Sequence, residues 1–106
     1  MSFVEEIYNL TKSFPPEEKY GLAAQLRRAS VSIPSNISEG AAPQGKKEFR
    51  QFLYMALGSS VEMETQLELA KRLHFISDSD INSQFNTITE IRRMIQGMIS
   101  HLKQAD

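Results

Sequence analysis

Leu26-Arg27-Arg28-Ala29-Ser30-Val31-Ser32-Ile33-Pro34-Ser35-Asn36-Ile37-Ser38-Glu39-Gly40 is the stretch that decides how this chain folds. Leu26, Ala29, Ile33 and Ile37 recur at the three- and four-residue spacings of one helix face, yet Pro34 sits where that helix should be continuous. A proline in a helix interior costs about 3 kcal/mol and frees the carbonyl four residues earlier, here that of Ser30. Ser30, Ser32, Ser35 and Ser38 offer local hydrogen bonds around the fault. The rival is a complete break, with Asn36 capping a new turn and Glu39 at its third position. A kinked but continuous helix is expected, because so little helix could follow before Gly40 and Pro43.

Working outward, no segment alternates with a period of two, so no strand is expected, and there is no internal repeat. A first helix runs from about Phe3 to Phe14 and stops at Pro15-Pro16, since proline lacks the amide and crowds the preceding turn. Pro16 suits the first turn of helix two, where Glu17 and Glu18 favour the positive end of the dipole. That helix passes through Leu22 to Ile37 toward Ala42, and Gly40, Pro43 and Gly45 punctuate the next break. Helix three spans about Lys46 to His74, with Phe49, Phe52, Leu53, Ala56, Leu57, Met63, Leu67, Ala70 and Leu73 inward. Ser77, with Asp80 three residues on, caps helix four, which runs to about Gln104. In helix four Ile81, Phe85, Ile88, Arg92, Ile95, Ile99 and Leu102 form a bundle seam with one charge in it. Short connections make neighbours antiparallel, so the expected fold is all-α: an up-and-down four-helix bundle with a short first helix and a proline-kinked second.

At 106 residues the chain fits one domain. No run approaches the roughly 18 apolar residues of a membrane span, and the N-terminus shows no signal-peptide pattern. Without cysteine there is no disulfide or thiolate chemistry. A cytoplasmic location is the default expectation. The net charge is −1, so the whole molecule exerts no pull on nucleic acid, and any such binding needs a local patch or one made by assembly.

Two residues equally far from an antiparallel turn share a level, because each rises about 1.5 Å. Counting this way brings Arg27 and Arg28, Ser59, Ser60 and Glu62, and Arg92 and Arg93 to one mid-bundle layer. Glu62 is its expected anion, paired to Arg28 or Arg92, while Gly58 and Ser59 are small enough to let helices approach. The layer reads first as an ion-pair and hydrogen-bond network that fixes helix register; a ligand-binding cluster is the rival. No nucleophile, cofactor loop or metal-ligand set accompanies it, so neither an enzyme nor a cofactor is expected. The same counting leaves an uncovered end. Helix one reaches only the level of Arg27, so Ile33, Ile37, Phe49, Phe52, Met98 and Leu102 lack a fourth helix. Helix four also carries a second apolar row, Ile91, Met94 and Met98. Such surfaces generally mark interfaces.

Lys46, Lys47 and Arg50 form the densest basic cluster and open helix three, where cations are locally unfavourable. A solvated face pairing with Glu39 or Glu48 is the plainer account, and phosphate contact the functional one. His74 and His101 stand at helix ends with no Glu-x-x-His pair, which argues against a metal site. The methionines read as packing filler.

The Gly21-Leu22 to Gly40 segment, together with Gly58-Ser59-Ser60-Val61-Glu62-Met63-Glu64-Thr65 and on to Leu69, resembles the bacterial four-helix bundle proteins encoded in 23S rRNA intervening sequences. These are also labelled S23 ribosomal proteins, and they include the accessory variability protein of diversity-generating retroelements. The name refers to where relatives are encoded and does not make them structural ribosomal proteins. The resemblance covers nearly the whole chain from Glu5. It implies an up-and-down bundle assembled as a homopentameric ring, a role in binding RNA or DNA and, in retroelement relatives, a reverse transcriptase as partner. The signature positions it marks here are Arg27, Arg28, Ser32, Pro34, Asn36, Glu39, Gly40, Gly58, Ser59 and Glu62. Relatives begin with a longer first helix carrying a tryptophan, which this chain lacks, and retroelement members are strongly basic where this chain is mildly acidic. Two functions follow as expectations. The first is an oligomeric accessory protein that binds nucleic acid through Lys46, Lys47, Arg50 and Arg27. The second is a scaffold that docks a partner protein through its apolar end.

Overall fold

The computed structural model describes residues 2–104. Four helices follow in order: α1 over Ser2–Thr11, α2 over Leu22–Gly40, α3 over Lys46–Arg72 and α4 over Asp78–Gln104, with a 3-10 turn at Pro16–Glu18 between the first two. No strand occurs among the described residues. Sequential helices pack on one another. Their cross-contacts run in opposite senses: on α3, Arg50, Tyr54 and Glu64 meet Leu102, Lys103 and Arg92 of α4. The fold is the expected all-α, up-and-down four-helix arrangement, 47 Å along its longest axis.

α2 runs unbroken through Pro34, so the continuous helix is the one observed. Its start differs from expectation. Pro16 opens only a three-residue 3-10 turn, and α2 begins afresh at Leu22, where the Glu18 carboxylate accepts the Leu22 N–H at 3.2 Å. Glu18 thus acts as the cap of a separate helix and not as a first-turn residue of a continuous one. Ser77 caps α4 as expected, its hydroxyl accepting the Asp80 N–H at 3.3 Å.

α3 ends in a Schellman turn, with Phe75 N–H donating to Ala70 O and His74 N–H to Lys71 O. His74 occupies its left-handed position at φ 59°. Phe75 then packs on Phe14 with ring centroids 5.4 Å apart, which ties the α3–α4 connection to the segment after α1.

The core is one cluster in which Ile7, Leu26, Ile33, Leu53, Met63, Leu67, Ile81, Ile88 and Ile95 are fully buried. It follows the predicted seams with two additions, the buried Gln66 and Gln84, and one correction: Leu73, expected inward, is exposed at the end of α3. α1 has ten residues against twenty-seven in α3 and α4, about 15 Å of helix beside about 40 Å. It reaches further than level counting predicts, because Tyr8 and Thr11 in its last turns already meet Arg27, which leaves Ile7 and Phe3 to extend the cover. Ile33 is accordingly buried. Ile37, Phe49, Met98 and Leu102 remain only partly covered.

Candidate functional site

The polar layer is real but is made of neutral groups. Ser32 on α2 and Ser59 on α3 share a hydrogen bond of 2.8 Å, and the Asn36 amide donates to both the hydroxyl and the carbonyl of Ser32 at 2.9 and 2.8 Å. Ser32, two residues before the proline, therefore bonds across the helix pair, and Asn36, two residues after it, bonds back to Ser32. Ser30 and Ser60, both wholly buried, bond back to the carbonyls of Arg27 and Leu57.

The expected charged members lie elsewhere. Glu62 is exposed, and its carboxylate accepts from the Gln66 amide one turn on at 2.8 Å; it pairs with none of Arg27, Arg28 or Arg92. Arg92 pairs instead with Glu64, Nε to Oε1 at 2.9 Å, with 27% and 30% of the side chains exposed. The reason is angular. Residues 62 and 64 flank the inward Met63 on opposite sides of α3, at about 100° per residue, and only the Glu64 flank faces α4. Arg28 is exposed, and so is Glu39, whose part is played by its carbonyl, which accepts from Gln44 at 2.7 Å in the α2–α3 turn. Close approach is likewise displaced from Gly58 to Gly40. A Cβ on Gly58 would meet nothing within 4 Å, whereas one on Gly40 would lie 2.8 Å from Phe49 and from Phe52.

The four residues proposed for nucleic acid fall at two ends of the bundle. Lys46 and Lys47 are exposed on the first turn of α3. Arg50, one turn on and half-buried, points Nη1 at the Leu102 carbonyl of α4 at 3.4 Å. Lys103 joins this end, its ammonium 5.6 Å from the Tyr54 ring centroid. Beside these cations runs an almost wholly apolar groove of about 380 Å³, lined by Phe49, Met94, Gly97, Met98, His101 and Leu102. This is the end that α1 leaves uncovered.

Arg27 belongs to the other end. Its Nε donates to Thr11 Oγ1 at 2.7 Å and its guanidinium lies 5.0 Å over the Tyr8 ring. It lines a cleft of about 240 Å³ at the junction of α1, the 3-10 turn and α2, together with Lys12 and Lys19. Sequence reading missed this grouping, because its members come from three short segments with no shared period.

The sequence profile of the 23S rRNA-intervening sequence proteins matches residues 1–97. The chain belongs to that family. Comparison with curated proteins gives no match. Among solved structures, this family member is similar to a protein of unknown function from the S23 ribosomal protein family of Bacteroides thetaiotaomicron, with 30% sequence identity over 92% of each chain and a TM-score of 0.85. The family's description specifies no reaction. Among the described residues of this family member, no helix is long and apolar enough to cross a membrane, and no three His, Asp or Glu side chains gather as a metal site would need.

Proposed function

We propose that this member of the 23S rRNA-intervening sequence family is a non-enzymatic accessory protein that assembles with copies of itself and binds nucleic acid, RNA foremost. The observation that carries the proposal is the cationic end formed by Lys46, Lys47, Arg50 and Lys103 beside an apolar groove. Lysines at a helix N-terminus oppose the dipole, so the α3 dipole does not account for Lys46 and Lys47 at that position. A chain of net charge −1 attracts polyanions only where cations are gathered locally, and a closed ring repeats such an end once per subunit.

The groove supports assembly. Gly97 sits inside α4, two turns from its C-terminal end and on the groove, with nothing within 4 Å of where a Cβ would be. An interior helix glycine costs about 0.5–1 kcal/mol relative to alanine, and close approach by a neighbouring subunit would account for it. The family resemblance makes five the best subunit count. A second reading, a scaffold docking a partner protein, is favoured by the same groove, since its lining is apolar enough for a protein surface.

Titrating binding to RNA and DNA between about 50 and 200 mM salt separates the two. The nucleic-acid function predicts an affinity that falls steeply with salt and is weakened by replacing Lys46 and Lys47 with glutamine. The scaffold function predicts no binding at any salt concentration.

A further inference from the structure

We infer that the corner joining α1, the 3-10 turn and α2 is a contact for single-stranded nucleic acid, in which Lys12, Lys19 and Arg27 hold backbone phosphate and Tyr20 stacks on a base. This rests on the nucleic-acid function proposed above and adds a site and a strandedness to it.

The cleft at this corner has a volume of about 240 Å³ and is lined by three cations and no carboxylate. Among the described residues none of the three cations has an acidic partner within ion-pair distance. In a chain with slightly more acidic than basic residues, three unpaired cations around one concavity are an electrostatic feature in need of a counter-charge. Arg27 is held in a fixed orientation at this corner. Thr11, itself bonded to the carbonyls of Ile7 and Tyr8 at 2.9 and 3.1 Å, accepts the Arg27 Nε, and the Tyr8 ring supports the guanidinium plane. With Nε committed and the plane fixed, the two terminal nitrogens remain as a fork of the kind that grips phosphate oxygens in pairs. Lys12 and Lys19 are exposed and supply mobile point charges beside it.

The second component is aromatic. Tyr20 is 86% exposed, the most exposed large apolar side chain among the described residues. It stands in the short link between the 3-10 turn and α2, with the Lys19 ammonium 5.6 Å from its ring centroid. A lone exposed tyrosine needs no explanation. A tyrosine beside Lys19, itself one of three cations lining the adjoining cleft, matches the way proteins hold single strands, with cations along the backbone and rings under the bases. Duplex bases are already stacked on one another and offer Tyr20 no face. At the opposite end Tyr54 carries Lys103 in a similar way, but the groove there is lined by apolar side chains and His101, with no lysine or arginine. The corner contacts phosphate and base faces, which RNA and DNA share, so either strand chemistry fits it.

The test measures fluorescence anisotropy of labelled oligouridine, oligothymidine and a blunt DNA duplex against the full chain over a salt series. The variants are Lys12→Gln/Lys19→Gln, Tyr20→Ala, Tyr20→Phe and, for comparison, Lys46→Gln/Lys47→Gln. All substituted side chains are exposed, and Arg27 is kept because it ties α1 to α2. The expected result is tighter binding of both single strands than of the duplex. The Lys12/Lys19 variant should lose affinity and flatten the logarithmic salt slope by about 1.4, the value for two phosphate contacts on a single strand. Tyr20→Ala should weaken binding by roughly five- to a hundredfold while Tyr20→Phe retains it. Undiminished binding by Lys12→Gln/Lys19→Gln and Tyr20→Ala, with loss in Lys46→Gln/Lys47→Gln, would overturn the corner and leave nucleic-acid binding standing. No binding of any probe by the unsubstituted protein at about 50 mM salt would overturn nucleic-acid binding itself.

Discussion

Ser32 and Ser59 hydrogen bond to one another at 2.8 Å across the α2–α3 interface, two residues before the proline of α2. Asn36 closes the group by donating to Ser32. Removing one partner of a shielded hydrogen bond leaves the other unsatisfied at a cost of about 1–3 kcal/mol, whereas removing both costs less. Ser59→Ala is therefore expected to lower stability by about 1 kcal/mol in urea unfolding, and Ser32→Ala/Ser59→Ala by less than the two single changes added together. Strict additivity would show that the two hydroxyls are not coupled.

Arg92 and Glu64 join α3 to α4 at 2.9 Å, while Glu62 points to solvent. With both partners about 30% exposed, screening limits the pair to about 0.5–1 kcal/mol. Glu64→Gln should show a loss of that size and Glu62→Gln a change within about 0.5 kcal/mol. Equal effects, measured by denaturant midpoint, would contradict the assignment.

Gly40 and Gly58 are both helical glycines with opposite surroundings. A methyl group at Gly40 would press on Phe49 and Phe52 at 2.8 Å, so Gly40→Ala should destabilise the protein by about 1–3 kcal/mol. Gly58 faces open space, and Gly58→Ala should raise stability by about 0.5–1 kcal/mol through helix propensity. A fall in stability on Gly58→Ala would mean that another surface packs there.

His74 holds a left-handed conformation at φ 59° in the turn that ends α3, a position where glycine is ordinarily found. His74→Gly removes the steric cost of roughly 1–2 kcal/mol and loosens the unfolded chain in partial compensation. A net gain of up to about 1 kcal/mol is expected, read as a raised melting temperature. A lower one would assign the imidazole a stabilising contact.

Much of the fold was legible because its signals are periodic or local. The α4 seam from Ile81 to Leu102 shows in the spacing alone, and Ser77 and Asp80 mark the start of that helix. The short stretch left between Pro34 and the break marked by Gly40 and Pro43 made an uninterrupted α2 the better expectation. What the sequence did not disclose depends on rotation about a helix axis. Glu62 and Glu64 are equally close to the inward Met63, and nothing in the chain says which flank meets α4. Gly40 and Gly58 look alike until Phe49 and Phe52 are placed against one of them. The Lys12, Lys19, Tyr20 and Arg27 corner was invisible for a different reason: a non-helical connection gathers it, and level counting treats connections as points. Of the four residues proposed for nucleic acid, the local cluster Lys46, Lys47 and Arg50 was found together, and Arg27 lies at the other end.

In the function proposed above, assembly would convert a subunit of net charge −1 with an open apolar groove into a binding surface, and light scattering of the pure protein at micromolar concentration measures it directly. Burial of Phe49, Met94, Met98 and Leu102 by neighbouring copies predicts one closed species several times heavier than the 12.0 kDa chain, with five subunits as the best count. Met94→Glu, which places a charge in the groove at an exposed position, should shift that species toward the monomer. A stable, soluble 12.0 kDa monomer of the unsubstituted protein would contradict assembly and leave the groove open to a different partner.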